Sequence, residues 1–145
     1  MANAVYPIYK TAILSADTNV SLNLDTTTNG PRVTLIDTGN YTYSAAHDFY
    51  NDVTTTNGVV WPAERITTPT VGSVAAGVFD GADTVFSSVT TTTSIEALII
   101  HRQNSGANTT WRLVLYEDTA VTGLPVTPNG GDITVAWNAS GILLI

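Results

Sequence analysis

Six consecutive residues, Ile95-Glu96-Ala97-Leu98-Ile99-Ile100, constrain this chain more than any other stretch of its sequence. The run is almost entirely apolar and rich in β-branched isoleucine, and it has the length of a strand. Apolar residues at both odd and even positions give a strand two buried sides, so the run predicts a central strand with material packed above and below it. Gln103 to Asn108 is polar, contains a glycine and predicts a loop. Beyond it, Trp111-Arg112-Leu113-Val114-Leu115-Tyr116 sets Trp111, Leu113 and Leu115 at period-2 spacing on one face, which predicts an antiparallel partner for the central strand.

The rest of the chain repeats this grammar. Val20, Leu22 and Leu24 alternate with polar residues, a turn region follows with Asn29-Gly30-Pro31, and a strand resumes over 32–37. Asn57-Gly58 marks a turn into a strand at 59–61, which Pro62 ends or marks as an edge. Segments 71–78 and 84–89 read as strands about the turn Phe79-Asp80-Gly81-Ala82-Asp83. A long turn from Thr122 to Gly131 precedes alternating Ile133, Val135 and Trp137 and the apolar end Ile142-Leu143-Leu144-Ile145, which belongs in a sheet or an interface. One helix is predicted, from Ser44 to Val53, where Ser44 caps the first turn and Ala46, Phe49, Tyr50 and Val53 share a face. Short strands, Pro/Gly turns and one brief helix predict an all-β chain, an antiparallel β-sandwich or jelly-roll-like domain with one short helix, formed as a single domain over residues 1–145.

Composition narrows the function classes. Threonine supplies much of the polarity, in runs at 26–28, 54–56 and 90–93, while charged residues make up only 12% of the chain, so little on the surface opposes association. The formal net charge is −7 with no basic run, which argues against direct nucleic-acid binding. There is no cysteine, so disulfides and thiolate metal sites are excluded. The N-terminus lacks the pattern of a secretory leader and no apolar stretch has bilayer-spanning length, so neither secretion by that route nor a membrane partner is expected.

No set of residues matches a reaction centre, so no catalytic residue, metal ligand or cofactor-binding residue is assigned. His47 is followed by Asp48 on the predicted helix, where neighbouring side chains diverge by about 100° and do not form a triad pair. His101 reads as a polar residue at a strand end with no second His or Cys to share a metal. Asp80 and Asp83 lack the further oxygen ligands of a calcium loop and fit turn chemistry. Glu117-Asp118 reads as a solvated carboxylate pair, with no sign of the cleft that glycoside hydrolysis needs. Trp61, with Tyr41 and Tyr43, supplies aromatic faces of the kind that stack on sugars, while Trp111 and Trp137 have the spacing of core or interface residues.

Three segments are similar to known sequences: 33–53 (VTLIDTGNYTYSAAHDFYNDV), 71–83 (VGSVAAGVFDGAD) and 123–137 (GLPVTPNGGDITVAW), followed by Asn138-Ala-Ser-Gly-Ile142. They resemble a family of small virion structural proteins of tailed phages, and the likeness covers most of the chain. The resemblance implies a non-enzymatic particle component, similar to capsid decoration or cement proteins that sit on the outer head surface as homotrimers. Its implied partners are further copies of itself and the major capsid protein of a phage head, and its implied location is the outer capsid surface after synthesis in the host cytoplasm. The alternative is a tail or fibre component with a carbohydrate-binding role in host adsorption. The candidate assembly contacts lie in the long turn, at Pro125, Pro128, Asn129 and Gly130, where prolines limit the entropy lost on binding and Asn-Gly reverses the backbone.

Overall fold

The computed structural model describes residues 3–16, 23–24, 29–67, 74–119 and 121–144. The strand expected at Val20–Leu24 lies outside these residues except for Leu24, which is buried. Among the described residues the order is β1 (Ala4–Val5), α1 (Pro7–Leu14), β2 (Pro31–Ile36), α2 (Asn51–Thr54), β3 (Glu64–Arg65), β4 (Val74–Ala75), β5 (Val78–Phe79) and β6 (Thr84–Phe86). Then come β7 (Ala97–Arg102), a 3-10 turn at Asn108–Thr110, β8 (Arg112–Glu117), β9 (Ile133–Val135) and β10 (Leu143–Leu144). Every strand pairing is antiparallel and the helices are few and short, so the chain is mostly β.

The main sheet runs β1-β8-β7-β2-β3. The apolar run of the sequence supplies its middle: all six residues of β7 are buried, as two covered faces require. On one side β2 pairs with it from Pro31↔Arg102 to Ile36↔Ala97, with Pro31 at the first position of its strand. On the other side lies β8, whose register slips between Ile100↔Leu115 and His101↔Leu113. Val114 is therefore an extra residue, a bulge that sends Leu113 and Leu115 to opposite faces. The expectation that Trp111, Leu113 and Leu115 share one face fails at this bulge.

Each face has a different cover. Register places Thr34, Ile99, His101, Leu113 and Tyr116 on one face, and Leu35, Leu98, Ile100, Leu115 and Glu117 on the other. The first face is roofed by aromatic rings from the chain preceding α1 and from the 41–50 segment. Tyr43 lies 5.2 Å from both Tyr6 and Tyr116, and the Tyr6 and Tyr41 hydroxyls share a hydrogen bond of 2.8 Å. Over the second face lie residues of β9, the 121–126 segment and the chain leading into β10.

The predicted helix over 44–53 is mostly absent: only α2, four residues long, is helical. Ser44 does close a turn, its Oγ accepting the Ala46 N–H at 3.2 Å. Residues 48–50 then extend along β8, where the Leu113 N–H donates to the Asp48 carbonyl (2.9 Å) and the Tyr50 N–H to that of Trp111 (2.8 Å). The reason is tertiary. β1 covers only two residues of β8, and the remaining edge takes the 48–50 backbone as its partner. The longer helix is α1, which begins on a proline and buries Tyr9 and Ala12. Of the expected strand 71–78, residues 71–73 lie outside the described residues and the rest is divided: Ala76 (φ 53°) and Gly77 (φ 80°) form a two-residue hairpin turn between β4 and β5.

A loop anchored over a cavity

The candidate contact residues lie in a segment held at several points. Ile95 and Val126 exchange backbone hydrogen bonds of 2.9 Å in both directions. Further along, the Val89 N–H donates to the Gly131 carbonyl (3.0 Å) and the Gly130 N–H to that of Val89 (2.9 Å). Between these anchors Ser94 and Thr127 hydroxyls share a bond of 3.1 Å, and Asn129 Oδ1 accepts the Gly131 N–H at 3.1 Å. Pro125, Asn129 and Gly130 are exposed and Pro128 is half-buried, so the structure brings the four residues together on one pinned surface segment.

The start of this segment, at 121–124 and Val126, roofs a cavity of about 670 Å³, which none of the four candidate contacts lines. Its floor is the second face of the main sheet, at Leu35, Leu98 and Glu117. Ile133, Val135 and Trp137 form a wall, and Gly123, Leu124 and Val126 contribute from the loop. Among the described residues, two carboxylates line it and no basic side chain does. Asp132 is occupied, accepting the Ser88 N–H at 2.8 Å. Glu117 is half-buried, and that burial pushes its carboxyl above the usual carboxylate range. The Glu117-Asp118 pair is thus not a solvated loop: Glu117 closes β8 opposite Leu98, and Asp118 accepts the Tyr116 hydroxyl (3.2 Å) and that of Thr119 (2.8 Å). The sequence singles out Glu117 as a carboxylate but not its place on a cavity floor, which is set by the β7–β8 register that pairs it with Leu98.

The other polar candidates serve the fold. His101 is fully buried, not at a wet strand end; Tyr50 stacks on it at 3.9 Å and Trp111 flanks both rings at 5.7 Å. Thr34 Oγ1 donates to the Tyr50 hydroxyl (3.3 Å), so it accepts from His101 Nδ1 (3.4 Å), and Nε2 is left buried without a hydrogen-bond partner among the described residues. Burial above all, and Arg32 nearby, lower this imidazole to about 3, which keeps it neutral. His47 Nδ1 shares a hydrogen bond of 2.9 Å with the Tyr41 hydroxyl. Asp48 pairs with Arg112 at 3.5 Å, and the Arg112 guanidinium lies 4.3 Å above the Phe49 ring.

Asp80 Oδ1 accepts the Gly81 N–H (2.8 Å) and Asp83 Oδ1 the Trp137 N–H (3.0 Å). Both aspartates thus serve backbone amides, and no group of three His, Asp or Glu side chains is arranged to hold a metal among the described residues. Of the aromatic residues considered for sugar stacking, Tyr41 is buried and Tyr43 is packed among other tyrosines, which leaves Trp61 half-buried without them.

Fold and site together define a mostly β protein in antiparallel sheets that presents a pinned, uncharged loop above an acidic-floored cavity. The chain matches no family model, no curated protein and no solved structure.

Proposed function

We propose that this chain is a non-enzymatic virion structural protein of a tailed phage, a capsid decoration or cement protein that binds the outer head surface and stabilises the shell. The observation that supports this reading most is the 123–131 segment. It is exposed at Pro125, Asn129 and Gly130 and pinned by backbone hydrogen bonds at Val126 and at 130–131, so little conformational entropy remains to be lost when it meets a partner. The segment carries no charged residue, which suits a flat protein contact better than recognition of a phosphate or an ion. In this reading the packing over both faces of the main sheet is that of a β-sandwich, and the protein acts as a trimer with the major capsid protein as its partner. A trimer multiplies weak contacts through effective concentration, and its binding energy adds to that holding shell subunits together.

The test is direct. Purified protein added to undecorated, expanded heads should co-sediment with them and raise the temperature at which DNA is released. The double variant Pro125→Gly with Asn129→Ala should bind at least several-fold more weakly while melting within a few degrees of the parent. Absence of binding to heads, or location of the protein on the tail alone, overturns the decoration role.

A further inference from the structure

The cavity beneath the 121–126 segment sets a half-buried carboxylate beside apolar walls. Glu117 opposes Leu98 across β7 and β8, so its side chain stands on the same face as Leu98, and both line the cavity floor. A half-buried carboxylate has lost part of its hydration while still meeting solvent, so a charged donor strengthens its position. None of the described residues supplies one: Glu117 makes no hydrogen bond or ion pair with them, and no Lys, Arg or His lines the cavity. The second carboxylate, on Asp132, already accepts the Ser88 N–H and so differs from Glu117. The space therefore offers two carboxylates, of which only Glu117 lacks a donor among the described residues, beside apolar walls from Leu35, Val126, Ile133, Val135 and Trp137. Its volume of about 670 Å³ falls within the roughly 300–1,000 Å³ typical of ligand sites and exceeds what a lone cation requires.

From this we infer that the cavity is a docking site for a lysine side chain presented by a partner protein, with the methylene stem along the Ile133, Val135 and Trp137 wall and the ammonium on Glu117. The stem of lysine buries well on apolar surface while its head seeks a charge, the combination this cavity provides. Charge complementarity extends beyond the cavity, because the whole chain has a net charge of −7 and attracts basic partners. A lysine side chain brings one ammonium to Glu117, the carboxylate without a donor among the described residues, and the diamine putrescine tests whether Asp132 takes a second. The inference stands on the cavity alone. Failure to bind phage heads would leave it in place, and failure of the lysine site would leave head binding in place.

Trp137 provides the readout, since it lines the cavity and its indole Nε1–H donates to Thr84 Oγ1 at 3.3 Å. The intact protein would be titrated at pH 7.5 with the peptide Ac-Gly-Lys-Gly-NH2, its acetyl-lysine counterpart and putrescine, following the Trp137 indole resonance. The lysine peptide should move that resonance saturably and bind at least five-fold more tightly than either of the other two. In Glu117→Gln the preference over the acetylated peptide should vanish. A second measurement uses the unaltered protein: affinity for the lysine peptide should fall as pH is lowered and Glu117 becomes protonated. Asp132 is the other titratable group facing the cavity, so Asp132→Asn should retain the preference. Equal binding of lysine and acetyl-lysine peptides, no movement at Trp137, or tighter binding of putrescine than of the lysine peptide would each overturn the assignment.

Discussion

His101 shows how far a residue's role can depart from its chemical type. An imidazole at the end of an apolar run looks like a titratable surface group, yet stacking by Tyr50 and full burial make it a neutral core ring. Its folded value, about 3, lies below its unfolded value of 6.5, so the folded protein binds fewer protons. The stability it permits is complete above pH 6.5 and is lost as pH falls toward 3, at about 1.4 kcal/mol per pH unit for one group. Between pH 6.5 and pH 4 the parent should lose roughly 3 kcal/mol more than His101→Phe, measured by urea unfolding at each pH. Parallel pH profiles for the two proteins would refute the buried neutral ring. Gly81 is a second case. A Cβ there would fall 2.4 Å from Ile66 Cγ2, a core side chain, so the glycine between Asp80 and Asp83 permits close packing as well as a bend. Gly81→Ala should cost about 1–3 kcal/mol through overpacking, read by thermal or urea denaturation.

At the scale of elements, the 44–54 segment is decided by competition for the β8 edge. Helical spacing is present in the sequence, but a helix through 48–50 would leave the Trp111 carbonyl and Leu113 N–H without their present partners. The extended path is further held by Asp52, whose Oδ2 accepts the N–H groups of Asp48 (2.9 Å) and Phe49 (3.2 Å). Asp52→Ala should therefore cost about 1–2 kcal/mol and accelerate hydrogen exchange at the Asp48, Phe49 and Leu113 amides, whereas Asp52→Asn, which keeps an acceptor, should cost less. Unchanged exchange at those amides would show that the aromatic contacts alone hold the segment.

On the scale of the whole molecule, three large apolar side chains are exposed among the described residues: Leu14 at the end of α1, Val85 and Leu144. Leu144 is 72% exposed on β10, at the edge of the β10-β5-β4 sheet, while its neighbour Leu143 is buried against β5. Val85, 47% exposed, lies on β6. In the proposed trimer, the exposed leucine on this strand edge is the contact to test, since so little surface charge opposes association there. The proposed trimer should appear as a single species by light scattering after size exclusion at micromolar concentration, and Leu144→Asp should shift it toward monomer with little change in circular dichroism. A monomeric parent protein would weigh against the decoration role as well as against this edge.

The central strand, its antiparallel partner and the pairing of the apolar end in a sheet were legible because each is a local pattern with one low-energy outcome. Ala97–Ile100 has no polar side chain to expose, although the strand begins two residues later than the run and extends to Arg102, and Leu143-Leu144 alternates between a buried and an open side. The mostly β class followed from threonine content and turn residues for the same reason. Other features were settled only by tertiary structure, since each depends on a partner distant in sequence. The Val114 bulge exists through the β7–β8 register, the loss of the 44–50 helix through the uncovered edge of β8, and the burial of His101 through Tyr50 and Trp111. The free carboxylate of Glu117 belongs with these. Its chemistry was visible in the sequence, but its place on a cavity floor depends on a strand register and on a loop from 121 to 126 that the sequence leaves free to lie elsewhere.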